Sequence, residues 1–170
     1  MDTAASESNF LELIQANKAI ILKICNSYCR DSHDREDLAQ EIVYNLWKAG
    51  KDFNPDYKFS TWMYRVALNV AISFYRNGKR SLPVSALCDV HINIEEPTAP
   101  GAATDENVQL LLQFISELKE LDKALVLLWL ESKSYKEISE ILGISETNVA
   151  TRISRSKEKL KQKFLTTKNN

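Results

Sequence analysis

Residues 134–160 have the sequence SYKEISEILGISETNVATRISRSKEKL, which predicts two helices joined by a tight turn. Ser134 and Glu137 have the spacing of a capping box, which begins a helix by satisfying two backbone N–H groups reciprocally. Gly143 follows where that helix should end, because glycine adopts a left-handed conformation without a Cβ penalty. Ser145 then has the position of an N-cap for the second helix.

Each helix of this pair has one apolar face. Apolar residues recur at helical spacing along both segments: Ile138, Ile141, Leu142, Val149, Ile153 and Leu160. The other faces of the second helix carry hydroxyl, amide and basic groups. A glycine-turned helix pair with a basic second member is typical of a helix-turn-helix that binds DNA. The alternative is a plain helical hairpin in an all-helical core.

The composition indicates a soluble, helix-rich protein of one or two domains. The chain has 170 residues, of which 44% are hydrophobic, with only four Gly and four Pro. It contains no apolar run of about 18 residues that could span a bilayer. Its first residues lack the basic-then-apolar order of a signal peptide. We therefore expect a cytoplasmic protein without membrane insertion.

The net charge of −1 conceals an uneven distribution along the chain. Residues 131–170 carry nine Lys and Arg against five Asp and Glu, whereas residues 81–106 carry five acidic residues and no basic one. The C-terminal quarter is therefore basic and the segment before it acidic. Such an asymmetry is compatible with nucleic-acid binding, although the total charge is not basic.

Cys25, Cys29 and His33 are spaced by fours, which would suit a metal site on one continuous helix. However, Asp31 and its neighbours have the character of a helix end followed by a new N-cap, so His33 should leave that face. We expect Cys25 to be a buried structural thiol, because free cysteine behaves as a small hydrophobe. The sequence predicts no metal site.

Helical periodicity predicts an all-α chain. We expect one helix from about Ser8 to Cys29, a second from about Asp34 to Gly50, and a third capped by Ser60. Residues 81–104 hold three of the four prolines and predict an extended linker. The predicted organisation is a helical domain (8–80), an acidic linker (81–104) and a second helical domain (105–166).

Two earlier segments, HDREDLAQEIVYNLWK (33–48) and KFSTWMYRVALNVAISFYR (58–76), precede the helix-turn-helix. Together the three segments resemble a bacterial RNA polymerase sigma factor of the extracytoplasmic-function (ECF) group, which keeps only the second and fourth conserved regions. The resemblance covers roughly residues 8–80 and 105–165. Ser139 departs from it, because the family usually has a small alanine there.

The resemblance implies a two-domain transcription initiation factor that directs core RNA polymerase to particular promoters. It implies no catalytic residues, cofactor or small-molecule substrate. Its implied partners are the β′ clamp helices and β flap of the polymerase, promoter DNA and an anti-sigma factor, at the bacterial nucleoid. Polymerase docking is implied for one polar side of the DLAQE helix, Asp37, Gln40, Glu41 and Asn45, whose alternative is a solvated face.

In the second region, the resemblance implies contacts with the −10 element as opened single strand. The candidates are Phe59, Tyr64, Arg65, Asn69, Arg76, Lys79 and Arg80. Aromatic rings stack on bases and cations hold phosphates. An amide at Asn69 suits the edge of one extruded base. Because Trp62 is followed by Met63, the adjacent tryptophans that wedge the duplex apart in primary sigma factors are absent here.

In the fourth region, the resemblance implies contacts with the −35 element as duplex. The candidates for base edges are Thr147, Asn148, Thr151 and Arg152. The candidates for phosphate, which positions the protein without specifying sequence, are Arg155, Lys157, Lys159 and Lys163.

The acidic linker is expected either to mimic nucleic acid in a positive polymerase channel or to act as a solvated tether. Two other functions remain open. One is a helix-turn-helix regulator that binds duplex operators without polymerase, and the other is a helical protein-interaction module.

Overall fold

The computed structural model describes residues 3–78 and 105–169, and within them every regular element is helical. The helices are α1 Thr3–Ala16, α2 Lys18–Tyr28, α3 Ser32–Ala49, α4 Phe59–Arg76, α5 Glu106–Ser116, α6 Glu120–Leu130, α7 Tyr135–Leu142 and α8 Glu146–Lys168, with a 3-10 turn at Gly50–Asp52. The all-α prediction is confirmed. None of these helices combines the length and the apolar character that a bilayer crossing requires.

The chain divides into two compact units. We call the described residues 3–78 the first unit and 105–169 the second unit. The predicted linker 81–104 lies outside the described residues.

The core of the first unit lies where α2, α3 and α4 pack against one another. Its largest fully buried side chains are Ile14, Ile21, Ile24, Leu38, Ile42, Leu46, Met63 and Leu68. Burying each of these side chains contributes about 1.5–3 kcal/mol relative to leaving it exposed. The helical spacing of these residues gives each helix one apolar face, and the packing of these faces holds α3 and α4 in place.

The prediction of one helix from about Ser8 to Cys29 is wrong, because the chain breaks at Asn17. Asn17 leaves helical geometry with φ −106° and ψ 15°. Its side-chain Nδ2 donates to the carbonyl of Leu13 at 2.9 Å. A local bond between an Asn side chain and the backbone competes with helix continuation. The apolar stripe continues across the break, which is why periodicity alone missed it.

The prediction that Ser60 caps the third helix is also wrong. The N-cap of α4 is Lys58, with extended φ −62° and ψ 123° and no side-chain cap bond. Ser60 lies within the first turn of the helix. Sequence favoured Ser60 because serine is a common cap, but the cap must be the residue with extended backbone.

The predicted helix boundary after Cys29 is confirmed. The Asp31 carboxylate accepts hydrogen bonds from the backbone N–H groups of His33 and Asp34 at 3.1 and 3.3 Å. The imidazole of His33 is exposed, whereas the free thiols of Cys25 and Cys29 are buried. Burial raises the pKa of the Cys25 thiol to about 12, so this thiol stays protonated at neutral pH, as a structural cysteine should.

The second unit is built around the faces of α6 and α8 that meet α5 and α7. One cluster joins Phe114, Ile115, Val126 and Leu160. The buried residues Ile138 and Ile141 on α7, and Val149 and Ile153 on α8, complete the core under the helix-turn-helix. This packing fixes which face of α8 points outward.

Candidate nucleic-acid interface

Helices α7 and α8, with the turn between them, have the predicted helix-turn-helix geometry. The Ser134 hydroxyl accepts from the Glu137 N–H at 3.1 Å, and the Glu137 carboxylate accepts from the Ser134 N–H at 2.8 Å. Gly143 is left-handed, with φ 68° and ψ 33°. The hydroxyl of Ser139 donates to the carbonyl of Ile144 at 2.5 Å, so the residue that departs from the family pattern ties the turn to α7.

The outer face of α8 is the candidate DNA surface of the second unit. Ser145 caps the helix by accepting from the Asn148 N–H at 3.2 Å. Val149, Ile153 and Leu160 hold the opposite side of α8 in the core. The face turned away from the core is exposed and carries short polar and basic side chains: Thr147, Asn148, Thr151, Ser154 and Arg155. Three of the four candidates for base edges are therefore accessible.

The fourth candidate, Arg152, is bound by other side chains of the second unit and does not extend freely from the helix. Its Nη1 donates to Oδ1 of Asp122 at 2.8 Å, and its Nε donates to Oδ1 of Asn148 at 3.3 Å. The Arg152 side chain is 37% exposed, and that of Asp122 is 13% exposed. This half-exposed side chain is held against the unit because a nearly buried carboxylate needs a charged partner.

The four phosphate candidates divide into two pairs. The ammonium of Lys157 lies over the Trp129 ring, 4.0 Å from its centroid, and Lys163 forms an ion pair with Glu117. Arg155 and Lys159 are exposed and form no ion pair with another described residue. These two have the conformational freedom that a phosphate contact needs.

One cation of this surface was missed in the sequence. Lys119, the N-cap of α6, lines the same open groove of about 590 Å³ as Arg155 and Lys159. It lies far from α8 in the chain, so no motif connects it with the helix-turn-helix. The groove is thus bordered by cations from two elements, and also by the carboxylates of Glu117 and Glu158.

In the first unit, α4 presents a polar stripe opposite its buried face. Arg65, Asn69 and Arg76 are all exposed at helical spacing. These three residues therefore share one exposed side of α4, and their contact with DNA stays a prediction. Lys79 and Arg80, the remaining cations of that set, lie outside the described residues.

The aromatic residues of the first unit do not match the prediction equally. Tyr64 is only 4% exposed, so its ring is buried among the helices of the core instead of facing a base. The prediction for Tyr64 is therefore corrected: its position in α4 shares the face of Ala67, Leu68 and Ala71, which packs inward. By contrast, Tyr57, in the loop before α4, is 70% exposed.

Phe59 belongs to a cluster of four half-buried aromatic rings. It packs against Phe10, Phe53 and Trp62, with ring centroids 5.7, 5.4 and 5.5 Å away. Gly50 is close to this cluster, because a Cβ there would lie 2.5 Å from the Phe10 ring. The cluster joins α1, the 3-10 turn and the start of α4, so Phe59 has a structural role in addition to its predicted one.

The polar side of α3 contains one unsatisfied group. Gln40 is exposed, whereas Asp37, Glu41 and Asn45 are half-buried. The Asn45 amide donates to the Glu41 carbonyl at 2.8 Å. Oε2 of Glu41 is buried without a hydrogen-bond partner, and burial raises the pKa of this carboxyl above its ordinary value. A partner that supplied a donor here would remove a desolvation cost.

Two family models match the chain. The model for Sigma-70 region 2 matches residues 13–81, and the model for Sigma-70 region 4 matches residues 109–160. The first match contains α3 and α4, and the second contains the helix-turn-helix.

Similar proteins cover most of the chain. The ECF RNA polymerase sigma factor SigW of Bacillus subtilis is 27% identical over 165 residues, which cover 91% of this chain and 88% of that protein. The ECF RNA polymerase sigma-E factor of Escherichia coli is 32% identical over 145 residues, covering 78% and 74%. In fold, the chain is similar to the sigma factor RpoE of Bartonella quintana, solved with the anti-sigma factor NepR, with a TM-score of 0.70, 18% identity and coverage of 92% and 96%.

Proposed function

Because the chain belongs to the ECF family of RNA polymerase sigma factors, we propose that its two helical units contact separate elements of one promoter. As a member of this family, it is a transcription initiation factor that directs core polymerase to promoters, and it is not an enzyme. The proposal concerns which residues carry that function. In this proposal the first domain spans residues 8–80, the linker spans 81–104 and the second domain spans 105–166.

The second unit binds the −35 element as duplex, with α8 in the major groove. The observation that carries this proposal is the exposed face of α8 opposite its buried stripe. A helix with short polar side chains near its N-terminus can reach base edges. Thr147, Asn148 and Thr151 contact bases, while Arg155 and Lys159, with Lys157 and Lys163, contact phosphates.

The first unit binds the −10 element as single strand along α4. The exposed stripe of Arg65, Asn69 and Arg76 supports this proposal, since cations hold phosphates and an amide suits one base edge. Phe59 supplies an aromatic neighbour from the cluster at the start of the helix. Lys79 and Arg80, which follow α4 in the sequence, add two cations for phosphate contacts.

The side of α3 that carries Asp37, Gln40, Glu41 and Asn45 docks on the β′ clamp helices of core polymerase. A basic or amide donor from the partner would satisfy the buried Oε2 of Glu41. The second unit also contacts the β flap in this proposal.

An anti-sigma factor controls the availability of the protein, and both act in the bacterial cytoplasm, at the nucleoid. Support comes from the similar fold of RpoE, which was solved in complex with NepR. The linker acts either as a mimic of nucleic acid or as a tether. Neutralising its acidic residues would separate the two, because only a mimic alters the ratio of abortive to full-length transcripts.

A gel-shift experiment with labelled promoter duplex tests the proposal. We expect the protein alone to bind weakly, and the protein with core polymerase to form a promoter-specific complex. Tight specific binding by the protein alone would favour a duplex-binding regulator. Stable binding to core polymerase with no change in DNA binding would favour a protein-interaction module.

A further inference from the structure

Three side chains from two helices of the second unit form a chain of hydrogen bonds. Asp122, in the first turn of α6, accepts from Nη1 of Arg152 at 2.8 Å. Arg152, in the second turn of α8, donates in turn from Nε to Oδ1 of Asn148 at 3.3 Å. The chain therefore runs from a nearly buried carboxylate to an exposed amide beside the N-terminus of α8.

The buried end of this chain determines where Arg152 can be. If the guanidinium turned outward to bind a base, the carboxylate of Asp122 would remain nearly buried without its charged partner. A carboxylate that is nearly buried costs free energy when it has no partner, because its charge stays desolvated without compensation. Arg152 is consequently held at the junction of α6 and α8 when DNA arrives.

The exposed end determines which atoms of Asn148 face outward. The Nε–H of arginine can only donate, so the amide group that faces it must be the oxygen. The NH2 group of Asn148 is then directed away from Arg152. Asn148 is the third residue of α8, and the first residues of a recognition helix are those that contact base edges.

We infer that Asp122 and Arg152 are positioning residues that orient Asn148, and that Asn148 donates hydrogen bonds to a base with an acceptor edge. This inference rests on the proposed binding of the −35 element by α8. Guanine offers O6 and N7 in the major groove, and thymine offers O4, whereas cytosine offers only its N4 amine there. Adenine offers only N7 as an acceptor there, and the second bond by which asparagine binds adenine would have to share the amide oxygen with Arg152. Asn148 therefore selects guanine or thymine against cytosine at one position.

The test is transcription by reconstituted holoenzyme from a promoter pool randomised across the −35 element, with sequencing of the templates that are used. For the wild-type protein we expect one position at which guanine or thymine is favoured over cytosine by roughly tenfold. Asn148→Ala should abolish that preference. Asn148→Asp, which presents only acceptors, should invert it toward cytosine.

The positioning residues are tested in the same pool. Arg152→Lys keeps the charge beside Asp122 but loses the Nε–H, so the preference at the Asn148 position should fall several-fold while other positions keep theirs. Asp122→Asn, which removes the negative charge that holds Arg152, should also lower the preference at the Asn148 position several-fold. Lys161→Ala, which removes an exposed charge from α8 at a position with no assigned contact, is the control and should leave the preferences unchanged. A single cooperative unfolding transition for each variant, well above the temperature of the assay, establishes that each is folded.

Two results would overturn the inference. In one, Arg152→Lys removes a preference at a different position from Asn148→Ala, which would mean that Arg152 contacts its own base. In the other, Asn148→Asp keeps the wild-type preference. If the wild-type holoenzyme shows no preference anywhere in the element, the proposed −35 binding itself fails, and the inference fails with it.

Discussion

The outer face of α8 and the aromatic surface around α4 differ in how they combine stability with recognition. On α8, the groups proposed to contact base edges lie opposite the buried stripe, so core packing and base contact use different residues. At the start of α4, Phe59 is both a proposed DNA contact and a member of an aromatic cluster, and Tyr64 is buried. A recognition surface can therefore be added to a core, as on α8, or shared with it, as on α4.

This difference predicts how substitutions behave. Changes on the exposed face of α8 should alter DNA binding at constant stability. Changes among the aromatic residues of the first unit should alter stability first, and DNA binding partly as a consequence. The following predictions test that contrast, beginning with the largest expected effect.

Replacing Tyr64 by alanine should destabilise the first unit by about 3–5 kcal/mol, since it removes a buried aromatic ring. The matched control is Tyr57→Ala, which removes a ring that is 70% exposed and should cost no more than about 0.5 kcal/mol. In a Trp129→Phe background, tryptophan fluorescence during urea unfolding comes only from Trp47 and Trp62 of the first unit. Equal losses of unfolding free energy for Tyr64→Ala and Tyr57→Ala would contradict the difference in burial between the two rings.

Replacing Gly143 by alanine should destabilise the second unit by about 1–2 kcal/mol, because φ is 68° there and a Cβ disfavours that conformation. No atom lies within 4 Å of the added Cβ, so the cost comes from the backbone alone. Gly143→Asn should cost less, since asparagine tolerates the left-handed region. Fluorescence of Trp129 during unfolding, in a variant without the other tryptophans, measures both. If Gly143→Ala left the free energy of unfolding unchanged, the turn would be able to relax around the added Cβ.

Raising the pH should destabilise the first unit through Cys25. Burial raises the pKa of this thiol from 9.0 to about 12 in the folded protein. The protonated thiol is thus favoured by folding: its contribution is fully present below pH 9 and falls as the pH rises toward 12. By pH 10 the loss should be about 1–2 kcal/mol. In the Cys25→Ala variant, unfolding free energy measured between pH 8 and 10.5 should fall less steeply, and an unchanged slope would exclude this cause.

Replacing Arg155 by alanine should have the smallest effect on stability, no more than about 0.5 kcal/mol. It should nevertheless reduce the salt dependence of promoter binding by holoenzyme by about one unit of slope, the loss of one phosphate contact. Lys157→Ala is the informative comparison, because this ammonium lies over the Trp129 ring and its removal should also weaken the second unit. An unchanged salt slope for Arg155→Ala would remove it from the DNA surface.

Local signals in the sequence predicted the helix-turn-helix well. The capping box, the left-handed Gly143 and the Ser145 cap each depend on residues within a few positions of one another, and all three are present. The Asp31 cap was predicted for the same reason. The break at Asn17 was missed because its side chain bonds to the backbone without interrupting the apolar pattern.

Interactions between distant segments could not be predicted in this way. Asp122 and Arg152 are 30 positions apart, so nothing in the α8 sequence indicated that its arginine is held by another helix. Likewise, helical spacing placed Tyr64 on α4 but did not show that its ring belongs to the core. Sequence identified which residues have the right chemistry, and packing decided which of them can present it.

The central claim is that one factor binds duplex with its second unit and single strand with its first. The most direct measurement is the affinity of holoenzyme for a fork-junction DNA, with a duplex −35 element and a single-stranded −10 overhang, and for DNAs that lack either part. We predict that Asn69→Ala loses only the contribution of the overhang, and Asn148→Ala only that of the duplex. If either variant loses the other contribution, or if the overhang adds no affinity for the wild-type protein, the claim is contradicted.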